Sequence, residues 1–191
     1  MRGIFRSDPR ARACYSEGAG IYRIVPDAVA VPVDVADLQA LVQWAAEGGH
    51  ALVPRGAGSA MGGGSVGAGV LVDLTALAPG VLEIDAPTRT ARTSAGITHG
   101  ELAAAASRHG LRLPPDPSSS RWMTLGGMLA TNAAGARTVR YGAARRWVLE
   151  ATAVTADGEV ARLARGEAGA DTAALARFHQ ETAPGILAAR D

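Results

Sequence analysis

Between Pro54 and Ser65 the chain reads Pro54-Arg55-Gly56-Ala57-Gly58-Ser59-Ala60-Met61-Gly62-Gly63-Gly64-Ser65, a run too rich in glycine for any helix. Glycine adopts positive φ and lets a ligand approach the backbone closely. Successive amides in such a loop can turn inward and form a concave anion site. A phosphate or pyrophosphate suits that concavity, and Arg55 stands ready for a charge-assisted bond. A plain flexible connector is the competing reading, and the glycines alone do not separate the two.

The loop is not a dinucleotide fingerprint. Met61 stands where a third glycine belongs, and a strand follows where a helix should. All 19 basic residues are arginine, which excludes the lysine of a P-loop and any lysine Schiff base.

A second stretch, Pro114-Pro115-Asp116-Pro117-Ser118-Ser119-Ser120, leads into Thr124-Leu125-Gly126-Gly127-Met128-Leu129-Ala130-Thr131-Asn132-Ala133-Ala134-Gly135. Its prolines impose an extended shape, and Gly126-Gly127 opens the backbone at a helix start. Two rigid segments with few side chains are what a flat ring system needs for close backbone contact. Ser118, Ser119, Thr124 and Asn132 are candidates to hydrogen-bond ring carbonyls or nitrogens. Alone, this stretch reads more readily as a proline-rich connector before a tightly packed helix.

Spaced in this way, the two stretches resemble the FAD-binding (PCMH-type) domain of the vanillyl-alcohol oxidase superfamily. The D-2-hydroxyacid dehydrogenase and glycolate oxidase branch is the most similar. The likeness extends to Tyr15-Ser16, Tyr22, Ile24-Val25-Pro26, Val70–Leu74, Tyr141-Gly142 and Val154–Gly158, and so over roughly residues 7 to 165. It implies an α+β fold of two α/β lobes with FAD between them. Pro54 and Arg55 to Gly64 (Gly56, Ala57, Gly58, Ser59, Ala60, Gly62 and Gly63 among them) would wrap the pyrophosphate. Pro115, Asp116, Pro117, Ser118 and Ser119, with Thr124, Gly126, Gly127 and Asn132, would line the isoalloxazine. Ala133 to Gly135 would continue along the cofactor. The implied parent reaction is oxidation of a 2-hydroxy acid such as D-lactate, glycolate or D-2-hydroxyglutarate, with hydride passing to the flavin.

Two departures qualify the likeness. Covalently flavinylated relatives carry a histidine where this chain has Ser59, so the expected FAD is non-covalent. The family's last flavin-domain strands and its substrate domain are not matched before Asp191, so no catalytic residue is named and this stretch by itself is expected to be inactive. A separate substrate domain or subunit, and an iron–sulfur domain or subunit as electron acceptor, are the implied partners. Two alternatives stay open: a non-catalytic flavin-holding subunit or fragment, and an enzyme like the UDP-N-acetylenolpyruvoylglucosamine reductases.

The elements that would position these stretches follow from periodicity and punctuation. Residues 1–28 read as an irregular arm. Residues 29–76 form a small α/β lobe with parallel strands: Val29–Val31, a helix from Asp34 to Gly48-Gly49, Ala51–Val53 and Val70–Asp73. Residues 77–165 form a second lobe. It contains a hairpin of Val81–Asp85 and Thr90–Ser94, and a helix opened by the capping box Thr98-His99-Gly100-Glu101. A short helix over Leu125–Asn132 follows, then a hairpin of Glu150–Thr155 and Glu159–Leu163 around Asp157-Gly158. Residues 166–191 read as a helical tail, with Thr172–Glu181 ended by Pro184-Gly185.

Composition narrows the classes further. A net charge of +1 gives no nucleic-acid footprint. Cys14 is the single cysteine, which excludes an internal disulfide or CxxC motif. His50, His99, His109 and His179 lack ligand spacing, so no metal site is expected. Arg137, Arg140, Arg145 and Arg146 form a basic cluster that reads as a solvated face or domain contact. No run has membrane-spanning length, and a cytoplasmic location is the expectation.

Overall fold

The computed structural model describes residues 1–77, 82–167 and 172–189. Sheet formation starts inside the arm. Ile4–Arg6 (β1) pairs antiparallel with Ala28–Val31 (β2), Phe5 standing opposite Ala30. β2 lies parallel to Val70–Asp73 (β4), which lies parallel to Leu52–Arg55 (β3), in the order β1-β2-β4-β3. The expectation of an irregular arm is therefore corrected. The arm also holds the helix Pro9–Cys14 (α1), whose N-cap Asp8 accepts from the Ala11 amide at 3.2 Å. All three β1 residues are exposed, so β1 lacks the alternation that marks a strand in sequence. Its partner and the Asp37 carboxylate define it: Asp37 accepts from the Arg2 amide at 2.6 Å and the Gly3 amide at 2.7 Å.

β2 and β4 are buried on both faces, as the inner pair of a parallel sheet must be. Val29, Ala30, Leu71 and Val72 are each at most 2% exposed. Val35–Gly48 (α2) covers one face, and its Leu38 and Leu41 pack on Ala28, Ala30, Val70 and Val72. Asp34 caps this helix at the Asp37 amide, and Gly49 ends it at φ +67°. Pro54 sits in β3 at the sheet edge, where a missing N–H breaks no ladder bond.

In the second half the strands form two separate antiparallel pairs. Leu82–Asp85 (β5) pairs with Thr90–Thr93 (β6), and Glu150–Val154 (β7) with Val160–Ala164 (β8). The expected start at Val81 lies outside the described residues. The turn of the β7–β8 hairpin rests on α2, where Gln39 Nε2 donates to the Gly158 carbonyl at 2.8 Å. His99–Ser107 (α3) has the expected capping box at both ends of the Thr98–Glu101 pair. Leu125–Ala130 (α4) is capped by Thr124. A one-turn helix Thr138–Tyr141 (α5) and a 3-10 turn Ala144–Trp147 follow, neither legible as periodicity. Met123, Met128 and Ala144 form the core beneath them, with Leu113, Leu125 and Ala133 packed around.

The tail corrects one boundary. Ala173–Arg177 (α6) runs into a π-helical turn, Phe178–Thr182, and then into Ala183–Ala188 (α7). Pro184 opens α7 rather than ending the helical run, because in a first turn its missing N–H has no intrahelical partner to lose. Among the described residues no helix is long and apolar enough to cross a membrane.

Candidate functional site

β3 delivers the chain into the glycine loop, and the arm folds over that loop from outside. The Ala19 amide donates to Gly58 O at 2.9 Å, and Gly18 lies against Ser65 Oγ and Gly58 O. Gly58 has φ +72° and Gly63 has φ +81°, conformations in which a β-carbon is strained. A side chain at Gly58 would also strike the Arg55 guanidinium, and one at Gly63 would meet the Tyr22 ring.

Arg55 acts here as a brace. Its Nη1 donates to Glu17 O at 2.8 Å and to Ser65 O at 3.1 Å, and its guanidinium lies 5.5 Å from the Tyr15 ring centre. Those bonds tie both ends of the loop to the arm and commit Nη1 of the guanidinium to protein carbonyls. Tyr15 Oη donates to Asp73 at 2.7 Å. Burial, and then the Asp73 bond, push its phenol up to about 12. Asp73 Oδ1 also accepts from the Thr75 amide and hydroxyl. Asp73 thus ends β4 and anchors the arm, a role that its strand-end position did not reveal.

Three of the loop's carbonyls accept from protein donors. Gly58 O, Gly63 O and Ser65 O accept from Ala19, Val66 and Arg55. Among the described residues, no amide from Gly56 to Ser65 donates to a protein acceptor. Gly62 and Gly64 are exposed, with open space where their β-carbons would stand. Ser65 Oγ is buried without a partner. Amides without protein acceptors beside exposed glycine backbone are donors that an anion can use. That donor chemistry suits a pyrophosphate.

The second stretch comes up against this loop directly. A side chain on Gly56 would collide with Thr124 Oγ1, the N-cap of α4 that accepts from the Gly127 amide at 3.2 Å. Gly126 passes Ala95 closely, and its amide donates to Ala95 O at 2.9 Å. Thr98 and Thr124 form an isolated antiparallel bridge, so the start of α3 and the start of α4 are tied together. The proline segment is pinned from below: Pro115 is fully buried, and His99 Nε2–H donates to its carbonyl at 3.0 Å. His99 is itself 6% exposed, and its Nδ1 has no partner. It therefore fixes the segment, a function that its spacing from other histidines could not disclose.

Gly135 closes the far end against the Asp116 carbonyl, where any β-carbon would overlap. Asp116 forms an ion pair with Arg137 at 3.5 Å. Asn132 takes a left-handed conformation, φ +46°, and its Oδ1 accepts from the Arg145 amide at 3.0 Å. Its Nδ2 remains available. Ala133 is held on both sides, with its amide on Met128 O and its carbonyl on the Ala144 amide. Ser118 is exposed, and Ser119 Oγ faces Met123 Sδ at 3.8 Å. Thr124 is 4% exposed, and its hydroxyl oxygen accepts the cap bond of α4.

A family model described as an FAD binding domain matches residues 26–164. A D-lactate dehydrogenase of Archaeoglobus fulgidus is 39% identical over 132 residues, covering 69% of this chain and 30% of that protein. A D-2-hydroxyglutarate dehydrogenase of Pseudomonas putida is 34% identical over 162 residues, covering 83% of this chain and 16% of that protein. Among solved structures, 6-hydroxy-D-nicotine oxidase of Arthrobacter nicotinovorans superposes with a TM-score of 0.74 at 25% identity, over 87% of this chain and 37% of that one. The chain spans less than a third of the length of these two curated relatives.

Proposed function

The chain belongs to the FAD-binding domain family, and from that premise we propose that it is the cofactor-holding part of a flavin-dependent dehydrogenase acting on D-2-hydroxy acids. The observation that carries the reading is the junction of Gly56 with Thr124, which joins an amide-lined loop to a rigid, glycine-opened helix start. The loop Gly56–Gly64 would hold the pyrophosphate through its unpaired amides. The Ser65 hydroxyl, buried without a partner, has a donor to contribute there.

Asp116, Pro117, Ser118 and Ser119 would border the ring on one side, with the Gly126-Gly127 backbone opposite. Asn132 Nδ2 is free to donate to a ring acceptor, its Oδ1 being held by Arg145. Ala133 and Gly135 would continue the contact. His99 and Asp73 act one layer back, holding Pro115 and Tyr15 in place.

FAD, when bound, supplies an acceptor for the electron pair and hydrogen leaving the substrate α-carbon. Ser59 offers no imidazole for a histidyl link, so the cofactor is held non-covalently. The groups that clamp the substrate carboxylate and take its hydroxyl proton would come from the part of the relatives that this chain does not span. An iron–sulfur protein is the electron acceptor we favour. Titration of the chain with FAD, followed by anaerobic addition of D-lactate or D-2-hydroxyglutarate to the longer protein of a relative's length, tests both halves. Failure of FAD to bind would overturn the cofactor reading. Failure of both acids to bleach bound flavin would overturn the substrate class.

A further inference from the structure

The geometry points to a second anion site, separate from the glycine loop: an open cavity of about 340 Å³ walled by Arg112, Arg137, Arg140 and Tyr141, with Ala136 and Val139 on its apolar side, which takes a small doubly charged oxyanion. The class is a phosphate or phosphate monoester, or a dicarboxylate, since both present paired oxygens to guanidinium forks.

Three features separate this cavity from an ordinary solvated basic face. First, the arginines are organised around one ring. The Arg112 and Arg140 guanidinium carbons each lie 5.3 Å from the centre of the Tyr141 ring, and Arg112 Nη2 donates to Tyr141 Oη at 2.7 Å. Stacking and hydrogen bonding hold two long side chains in place before any ligand arrives, which lowers the ordering cost of binding. Second, the ring is itself anchored. Trp147 Nε1 donates to Tyr141 O at 3.0 Å, and the Gly142 amide donates to Thr138 O at 2.8 Å, closing α5.

Third, the charge is uncompensated. Asp116 pairs with Arg137, but among the described residues neither Arg112 nor Arg140 has a carboxylate within ion-pair distance. Three guanidinium charges against one carboxylate leave a surplus of two at one cavity, in a chain whose total net charge is +1. A dianion matches that surplus. Val139, fully exposed at the rim, gives an apolar contact for the carbon part of an ester or diacid.

The site shares no residue with the proposed FAD contacts. Isothermal titration of the 191-residue chain with inorganic phosphate, and separately with succinate, in a low-salt buffer tests it. At least one of the two should bind saturably with one site per chain. That binding should weaken tenfold or more in the double variant Arg112→Gln/Arg140→Gln. It should weaken similarly in Val139→Glu, which brings a carboxylate to the rim without touching packed residues. The arm that binds more tightly identifies the source of the oxyanion. Absence of saturable binding by both anions would overturn the site, as would equal binding by the variants. Binding lost in Gly58→Val but kept in the arginine variants would also overturn it, by placing the anion in the glycine loop. FAD affinity measured on the same variants keeps the two readings apart, since it should be unchanged.

Discussion

The Thr124 hydroxyl stands where a side chain on Gly56 would have to go, so the loop after β3 and the cap of α4 meet with no atom to spare. Two stretches nearly seventy residues apart in sequence thereby form one wall. Replacing Gly56 with alanine would push Thr124 off the Gly127 amide. The expected cost is about 1 kcal/mol for the cap together with about 1–3 kcal/mol for overpacking. Chemical denaturation with a parallel FAD titration should show both stability and affinity falling. An unchanged Gly56→Ala protein would mean that the junction is loose.

Gly62 offers the complementary test. Its β-carbon would enter open space and its φ is not in the left-handed region, so Gly62→Ala should leave stability within about 0.5 kcal/mol. FAD affinity should nonetheless drop at least tenfold if the pyrophosphate lies against this backbone, because the methyl group would hold its oxygens off the amides. Equal affinity would place the pyrophosphate elsewhere.

How much of this was legible in the sequence depends on where the deciding contact lies. α2 announced itself through Asp34 and Gly49, α3 through Thr98 and Glu101, and the β7–β8 turn through Asp157-Gly158, all within a few residues of what they control. β1 did not, because its strand character comes from Val29–Val31 more than twenty residues away. Arg55 reads in sequence as an anion hook, yet two carbonyls, Glu17 O and Ser65 O, claim its Nη1. His99 was invisible as a support for Pro115 for the same reason: a carbonyl partner leaves no trace in side-chain spacing.

The Tyr15–Asp73 bond predicts an alkaline transition. The folded phenol is raised from 10.0 to about 12, first by burial and then by the Asp73 bond. A raised value means that the protonated phenol favours the folded state. Its contribution is complete below pH 10 and disappears as pH climbs through the folded value. Tyr15→Phe should therefore flatten the loss of stability between those limits. At neutral pH it should cost about 1 kcal/mol, below the roughly 1.5–3 kcal/mol of a bond to a charged group because the pair is partly open to solvent. Denaturation midpoints measured across alkaline pH decide it, and an identical pH profile in both proteins would contradict the assignment.

His99 separates positioning from bulk packing. His99→Leu leaves the Pro115 carbonyl buried without its donor, at a cost of about 1–3 kcal/mol. His99→Gln retains an N–H donor of similar reach and should restore part of the stability. If Pro115 and Asp116 border the flavin, the leucine variant should also shift the visible absorption bands of bound FAD, and glutamine should return them. A stability loss with no spectral change would confine His99 to the core.

The proposed function requires this chain to hold FAD non-covalently against the Gly56–Gly64 loop and the Pro115–Gly135 stretch. Fluorescence titration of the purified chain with FAD, followed by acid precipitation, tests it most directly. The account predicts saturable quenching with one FAD per chain, loss of that binding in Gly62→Ala, and release of all the flavin into the acid supernatant. Flavin retained in the precipitate would contradict the non-covalent assignment, and binding indifferent to Gly62→Ala would contradict the site.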